Sequence, residues 1–329
     1  KGLEKLEVEH LGRYSAGDLM GASGVEASYD LELRGFDGVD AQVVDARGRA
    51  VKGNQTLEML EERTSIAPQT GNTLMTTLDY DTMVAAQKAV NNRRGAVVAM
   101  DPNTGEVIAM YSSPGYDPNR ITKTIDKEYW KKINFDEDKF LLNRAIQATY
   151  PPGSIYKMVP ALAGLDSGKV DLSTTFNCGG GMQFGSRFFK CWNHGGHGTV
   201  ALLRGIAQSC DVYFYRVGLA VGVDTLKEYA SIFGYGHKTG IDIPFEQAGL
   251  IPSTEWKEKR FKQPWIESET LSISIGQGYD LVTPLQAARM VSFIANGGYE
   301  ITPHLVKTIL NSDGEVVKQI KEEKGKRVI

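Results

Sequence analysis

Tyr150-Pro151-Pro152-Gly153-Ser154-Ile155-Tyr156-Lys157 is the stretch on which the reading of this chain turns. Two prolines and a glycine stop whatever precedes it. Behind them Ile155, Met158, Val159, Leu162 and Leu165 recur at helical spacing, which predicts a helix over 154–167 with one apolar face. Ser154 then stands at the helix N-terminus, where free backbone N–H groups favour negative charge. Lys157 comes one turn later, so its ammonium is expected to reach the Ser154 hydroxyl. A serine hydroxyl attacks only when a neighbour takes its proton. A lysine whose pKa is lowered by burial or by nearby cations can take it. An N-cap serine followed by an exposed lysine has the same spelling, so the rest of the chain has to decide between the two.

Length and composition set the bounds. The chain has 329 residues, enough for two domains or one large one. A net charge of −3 argues against a nucleic-acid partner. No apolar run is long enough to span a bilayer. The chain opens at Lys1-Gly2 rather than at methionine, so a processed or excised piece is expected, and a missing anchor does not argue for the cytoplasm. Three cysteines, Cys178, Cys191 and Cys210, fall in one short region.

Residues 1–65 are charged and punctuated by glycine. They hold a short helical piece from Gly21, a strand-like run at Ala41-Gln42-Val43-Val44 and a turn at Asp45-Ala46-Arg47-Gly48-Arg49, and no catalytic constellation. Ile66-Ala67-Pro68-Gln69-Thr70-Gly71-Asn72 reads as a boundary. A strand at 73–77 and a helix over 79–90, capped by Asp79 or Asp81, follow. Strands at 95–100 and 106–112 flank the turn Asp101-Pro102-Asn103-Thr104-Gly105, which suggests an antiparallel sheet covered by helices. The glycine-rich residues 171–199 are expected to hold little regular structure. Helices are expected over 200–209, 212–221, 223–233 and 283–295, the last opened by Thr283-Pro284. Residues 234–252 read as irregular, and 305–310 with 315–320 as a hairpin around Asn311-Ser312-Asp313-Gly314.

Five segments, in order, resemble the class B penicillin-binding proteins: Asp101 to Tyr116 (DPNTGEVIAMYSSPGY), Tyr150 to Lys157, Ser209-Cys210-Asp211, Phe233 to Pro252 (FGYGHKTGIDIPFEQAGLIP), and Ile275 to His304 with its GQG, TPLQ and ANGG. Trp256 to Trp265 (WKEKRFKQPW) and Cys191-Trp192 with Gly196-His197-Gly198 point to the elongation-specific branch, penicillin-binding protein 2. The resemblance covers roughly residues 20–310. It implies an α+β fold, the penicillin-recognising acyl-serine transpeptidase fold: an antiparallel sheet covered by helices, with a helical subdomain and the remnant of an N-terminal pedestal, or dimerisation-like, module. Residues 1–65 would belong to the pedestal and 66–329 to the transpeptidase domain.

The resemblance also implies a D,D-transpeptidase that needs no cofactor for catalysis. A serine attacks the D-Ala-D-Ala carbonyl of a peptidoglycan stem peptide, and β-lactams acylate the same serine. By position Ser154 is the nucleophile, Lys157 the base for acylation, and Ser209 and Asp211 the second motif. Asp211 stands where many relatives carry Asn. Gly276, Gln277 and Gly278 fall where substrate binds. The implied setting is the periplasmic face of the cytoplasmic membrane, with a single-pass anchor outside this chain. The implied partners are a glycosyltransferase and scaffold proteins of the elongation machinery.

The family's third motif, Lys-Ser/Thr-Gly, is expected beyond the ANGG stretch, and the chain ends at Ile329 without it. Lys238-Thr239-Gly240 matches in letters but belongs to the preceding segment. Loss of one oxyanion donor costs about 10²–10³ in rate, so the chain is expected to be incomplete for catalysis. The rival readings are a serine β-lactamase or β-lactam sensor, and a non-catalytic wall-assembly scaffold.

Cys178, Cys191, His197 and Cys210 are spaced C-x12-C-x5-H-x12-C. Three thiolates and an imidazole make a closed tetrahedral set for a structural zinc. The competing arrangements are a Cys178–Cys191 disulfide with Cys210 free, which an oxidising compartment favours, and three separate buried thiols. His194 is the competing imidazole.

Overall fold

The computed structural model describes residues 14, 18–40, 42–51, 65–122, 126–320 and 325–328. It divides into two compact units, one of residues 1–77, 242–244 and 305–321, the other of 78–241, 245–304 and 322–329. Helices and antiparallel sheets occur throughout, an α+β architecture as the resemblance implies.

The first unit carries a three-stranded antiparallel sheet in the order Thr73–Thr76, Val306–Leu310, Val316–Gln319. The last two strands are the expected hairpin; the pairing of Val306–Leu310 with Thr73–Thr76 has no local signal. Tyr29, Val306 and Ile309 form its buried centre, with Val25 and Leu74 packed against them. Asp242 ties the unit together. Its carboxylate accepts the backbone N–H of Leu305 at 2.7 Å and of Val306 at 3.0 Å, and the Tyr29 hydroxyl at 2.8 Å. The piece expected from Gly21 forms two short helices, Gly24–Ser28 and Asp30–Leu33. The turn at Asp45 is present, its carboxylate accepting from the N–H of Arg47 and Arg49. Ala41 of the strand-like run, and residues 52–64, lie outside the described residues.

In the second unit the antiparallel pair Gly95–Met100 and Val107–Ser113 is joined by a turn that Asp101 holds through the N–H groups of Asn103 and Thr104. Helices Tyr80–Val90 and Pro284–Ala295 pack on this hairpin. Asp79 caps the first by accepting from Thr82. Thr283 caps the second by accepting from Gln286, whose side chain returns a bond to the Thr283 N–H. The helical part centres on Met158–Asp166, which packs against Asp211–Val221 and Val223–Ile232, while Glu267–Ile273 packs on the former. Helices Lys127–Phe135, Thr254–Phe261 and Glu267–Ile273 went unforeseen. Thr254–Phe261 is polar nearly all round and offers no apolar period to read.

Two expectations need correction. The helix after the proline pair begins as a 3-10 turn, Gly153–Lys157, and becomes α-helical only over Met158–Asp166. The tighter pitch shifts the phase of the first turn, so Tyr156 and Lys157 are buried while Ile155 is exposed. Both sides of the helix meet core. Ala161 joins the cluster of Cys178, Cys191, Cys210 and Tyr213, whereas Tyr156, Val159 and Ala163 join Leu226, Phe233, Tyr235 and Phe293. A single apolar stripe through Leu165 is therefore not what holds it; Leu165 is exposed.

Residues 171–199 are not irregular. Thr175–Cys178 pairs antiparallel with Gly198–Ala201, and Gly181–Phe184 with Arg187–Lys190. Most of the glycines of this stretch stand at the turns of the double hairpin, while Gly181 and Gly198 open strands. Gly180 (φ +92°) and Gly196 (φ +79°) lie so close to opposing backbone that a Cβ would sit 2.2 Å from the carbonyl oxygens of His194 and Cys178.

Candidate active site

Ser154 is exposed in the 3-10 turn, at the edge of a cleft of about 290 Å3 lined by Ser154, Trp192, Ser209, Asp211, Ile275 and Gln277. Lys157 is 2% exposed and points beneath it. Its ammonium donates to Asp211 Oδ1 at 2.6 Å, to Ser209 Oγ at 2.8 Å and to the Ser209 carbonyl at 2.9 Å. Ser209 Oγ in turn donates to Ser154 Oγ at 2.8 Å. The expected direct approach of Lys157 to Ser154 is thus replaced by a bridge. The bonds of Lys157 go to Ser209 and Asp211, and the Ser209 hydroxyl connects it to Ser154.

Local backbone explains the bridge. Helix Leu202–Ala207 ends, and helix Asp211–Val221 begins with Cys210 as its N-cap. Ser209 turns the corner with φ +52°, a left-handed conformation uncommon for a residue with a Cβ. That strain aims the hydroxyl into the cleft and the carbonyl at Lys157. Asp211, in the first turn of the next helix, is gripped on its other side, where the Trp192 N–H donates to Oδ2 at 2.9 Å.

Behind the turn, the Gly153 N–H donates to the Gly276 carbonyl at 2.8 Å. Gly276 has φ +68°, and a Cβ on it would lie 2.4 Å from the Gly153 carbonyl oxygen and 2.7 Å from Tyr156 Cβ. Gln277 reaches the cleft. Gly278, expected to contact substrate, does not line it; at φ +73° it faces Ser272 and Ile273, and its part is to let the loop turn. The Lys238-Thr239-Gly240 triplet also stays out of the cleft. The Thr239 N–H and hydroxyl and the Gly240 N–H all donate to the Glu246 carboxylate.

The second cluster lies beside the second motif. Single ligand atoms from Cys178, Cys191, His197 and Cys210, all buried, lie within 4.8 Å of one another. His197 Nδ1 stands 3.6 Å from both Cys178 Sγ and Cys191 Sγ. All three cysteines are free thiols, and His194 is exposed. Burial acts to raise the Cys178 thiol, but the N–H groups of Gly180 and His197 and the neighbouring thiols outweigh it and bring it below the ordinary range. Burial, with Cys178 and Cys191 adding to it, pushes Cys210 up to about 12. Cys178 ends the strand Thr175–Cys178, Cys191 and His197 flank the connection between Arg187–Lys190 and Gly198–Ala201, and Cys210 is the helix N-cap, so the cluster ties the double hairpin to Ser209-Cys210-Asp211.

Trp192 and Ile275 line the cleft and were missed as site residues. The available signals were adjacency in sequence, Trp192 to Cys191 and Ile275 to Gly276.

The description "Penicillin binding protein transpeptidase domain" matches residues 95–329, and "Penicillin-binding Protein dimerisation domain" matches residues 1–76. The chain is 38% identical over 296 residues to the peptidoglycan D,D-transpeptidase MrdA of Acinetobacter baumannii, which covers 89% of this chain and 43% of that protein. Penicillin-binding protein 2 of Helicobacter pylori, solved in complex with MreC, superposes with a TM-score of 0.82 at 34% identity, over 95% of this chain and 58% of that one. The corresponding protein of Pseudomonas aeruginosa, solved in complex with WCK 5153, gives 0.79 at 35%, over 96% of this chain and 64% of that one. The chain thus spans less than half the length of the curated relative.

Proposed function

This chain belongs to the penicillin-binding protein transpeptidase family, and on that premise we propose that it serves a peptidoglycan D,D-transpeptidase of the elongation branch, acting on stem peptides through an acyl-serine and acylated there by β-lactams. The observation that supports this most is the continuous chain of bonds from Lys157 through Ser209 to Ser154, each 2.8 Å long. Donors in it run toward Ser154. Taking the Ser154 proton reverses the chain: Ser209 Oγ receives it and passes its own proton to Lys157 Nζ in the neutral form, each hydroxyl turning about its C–O bond. Asp211 balances the ammonium that results. The chain then returns a proton to the departing amine, and in the second half-reaction it accepts one from the incoming amine.

The test uses the full-length protein and a fluorescent penicillin. Label on wild type, lost in Ser154→Ala and reduced by about 10²–10⁴ in Lys157→Ala, is the expected result. Label that survives Ser154→Ala, or rapid hydrolysis of a cephalosporin by wild type, would overturn the reading, the latter in favour of a β-lactamase.

Residues 1–65 are assigned here to the pedestal, as a docking element for a scaffold of the MreC kind and for the elongation glycosyltransferase; 66–329 are assigned to the transpeptidase domain. The setting is the periplasmic face of the cytoplasmic membrane. No helix among the described residues is long and apolar enough to cross a membrane.

Cys178, Cys191, His197 and Cys210 are assigned a structural zinc. A tetrahedron with Zn–S of about 2.3 Å and Zn–N of about 2.0 Å has S···N edges near 3.5 Å. The two S···N separations of 3.6 Å are in keeping with those edges. The metal's contribution is to hold the double hairpin against the second motif. Elemental analysis of chelator-free protein should find one zinc per chain, lost in Cys210→Ser. Metal-free protein with a mass deficit of two protons would replace the zinc by a disulfide.

A further inference from the structure

Resting on the acyl-transfer reading above, we propose that Trp192 is a substrate-contacting specificity residue, whose indole face receives the apolar side chain of the acyl group that Ser154 takes up. Four of the six residues lining the cleft are polar; Trp192 and Ile275 supply its apolar surface. Trp192 is 61% exposed, yet it is not free to move. Its Nε1–H is shared between the carbonyls of Gln208 at 3.1 Å and Ser209 at 3.0 Å. Its backbone N–H is bound to Asp211 at 2.9 Å, and its ring meets the His197 imidazole edge-on, with centroids 5.4 Å apart and planes at 63°.

A large apolar side chain held in water by that many anchors loses its rotamer freedom before any ligand arrives. That is the condition under which an aromatic wall binds at least entropic cost. Two of the anchors engage the indole nitrogen, and the ring itself lines the cleft together with Ser154. An indole face favours hydrocarbon, flat or aliphatic, and offers an anion nothing. The hydrogen-bonding edge and the ring face are separable by mutation. Trp192→Phe keeps a face and loses the Nε1–H bonds, and Trp192→Leu loses both while keeping apolar bulk.

The experiment measures acylation rate constants of the full-length protein with benzylpenicillin and with 6-aminopenicillanic acid. These share the reacting ring and differ in the benzyl acyl group. The 6-aminopenicillanic acid rate is read by competition with fluorescent penicillin. Wild type should prefer benzylpenicillin. In Trp192→Ala that preference should shrink about three- to tenfold, the size of an aromatic contact, while Trp192→Phe retains most of it. Melting curves identify a variant that fails to fold, and Trp192→Leu then stands in for Ala with the same expectation. An unchanged preference in the Ala or Leu variant, or equal loss toward both compounds in Ala and Phe alike, overturns the assignment and leaves Trp192 a structural prop. Wild type that neither compound acylates overturns the acyl-transfer reading itself, a result distinct from an unchanged preference.

Discussion

Ser209 concentrates the conflict between backbone comfort and chemistry. Its φ of +52° is costly for a residue with a Cβ, and its hydroxyl is the one atom bonded to both Lys157 and Ser154. Replacement therefore separates the two effects. Ser209→Ala and Ser209→Gly should both lower penicillin acylation by about 10²–10⁴. Thermal or urea unfolding should find Gly more stable than Ala by about 1 kcal/mol, because only Gly is at ease with positive φ. Asp280 carries a different tension. It is fully buried, and neither carboxyl oxygen has a hydrogen-bond partner. Burial pushes the carboxyl well above the ordinary carboxylate range. The folded state then keeps a proton that the unfolded chain releases, so stability falls as pH rises from about 4 toward the folded-state value. Asp280→Asn removes that dependence. Its melting temperature should exceed that of wild type at neutral pH, and the difference should close at or below about pH 4; a constant difference across that range would contradict the burial argument.

At the scale of elements, the turn that carries Ser154 is held by contact more than by propensity. The Gly153–Lys157 turn is bonded to the Gly276 carbonyl and has no room behind it. Gly276→Ala must move backbone, because its Cβ would lie 2.4 Å from a carbonyl oxygen, and the φ of +68° adds to the strain. Gly297 is the control, with φ +82° and nothing within 4 Å of a Cβ. Gly297→Ala should cost about 1 kcal/mol of stability and leave acylation intact. Gly276→Ala should cost more, about 2–4 kcal/mol, and slow acylation at least in proportion to the displaced Ser154. Equal behaviour of the two variants, measured by denaturant titration and penicillin labelling, would show that the glycine loop does not position the turn. The double hairpin of 175–201 follows the same logic. Each of its strands has only four residues, too short to persist alone, and their turns bring Cys178, Cys191 and His197 to one point.

At the scale of the whole molecule, one chain supplies the first unit in three visits: residues 1–77, 242–244 and 305–321. Asp242 is the tie, with three donors from two of the other segments on one carboxylate. Asp242→Ala should destabilise that unit by about 1.5–3 kcal/mol, the worth of hydrogen bonds to a charged group. Hydrogen exchange should speed up at Thr73–Thr76 and Val306–Leu310 while Ser154 still labels with penicillin; unchanged exchange there would remove Asp242 from this role. What the sequence alone determined was the family and the candidate residues for its chemistry. Ser154 and Lys157 lie one turn apart, Ser209-Cys210-Asp211 lies ahead of a helix, and three cysteines and His197 fall in one short region. These are legible because reactivity restricts residue type, and helix starts and turns are written in neighbouring residues. Only the tertiary structure placed Ser209 between Lys157 and Ser154, folded 171–199 into paired hairpins, turned Trp192 into the cleft and returned 305–321 to the first unit. Apart from the hairpins, whose pairing is local but whose glycine-rich strands show no clear period, each depends on contacts between residues far apart in the chain, about which a period of two or 3.6 residues carries no information.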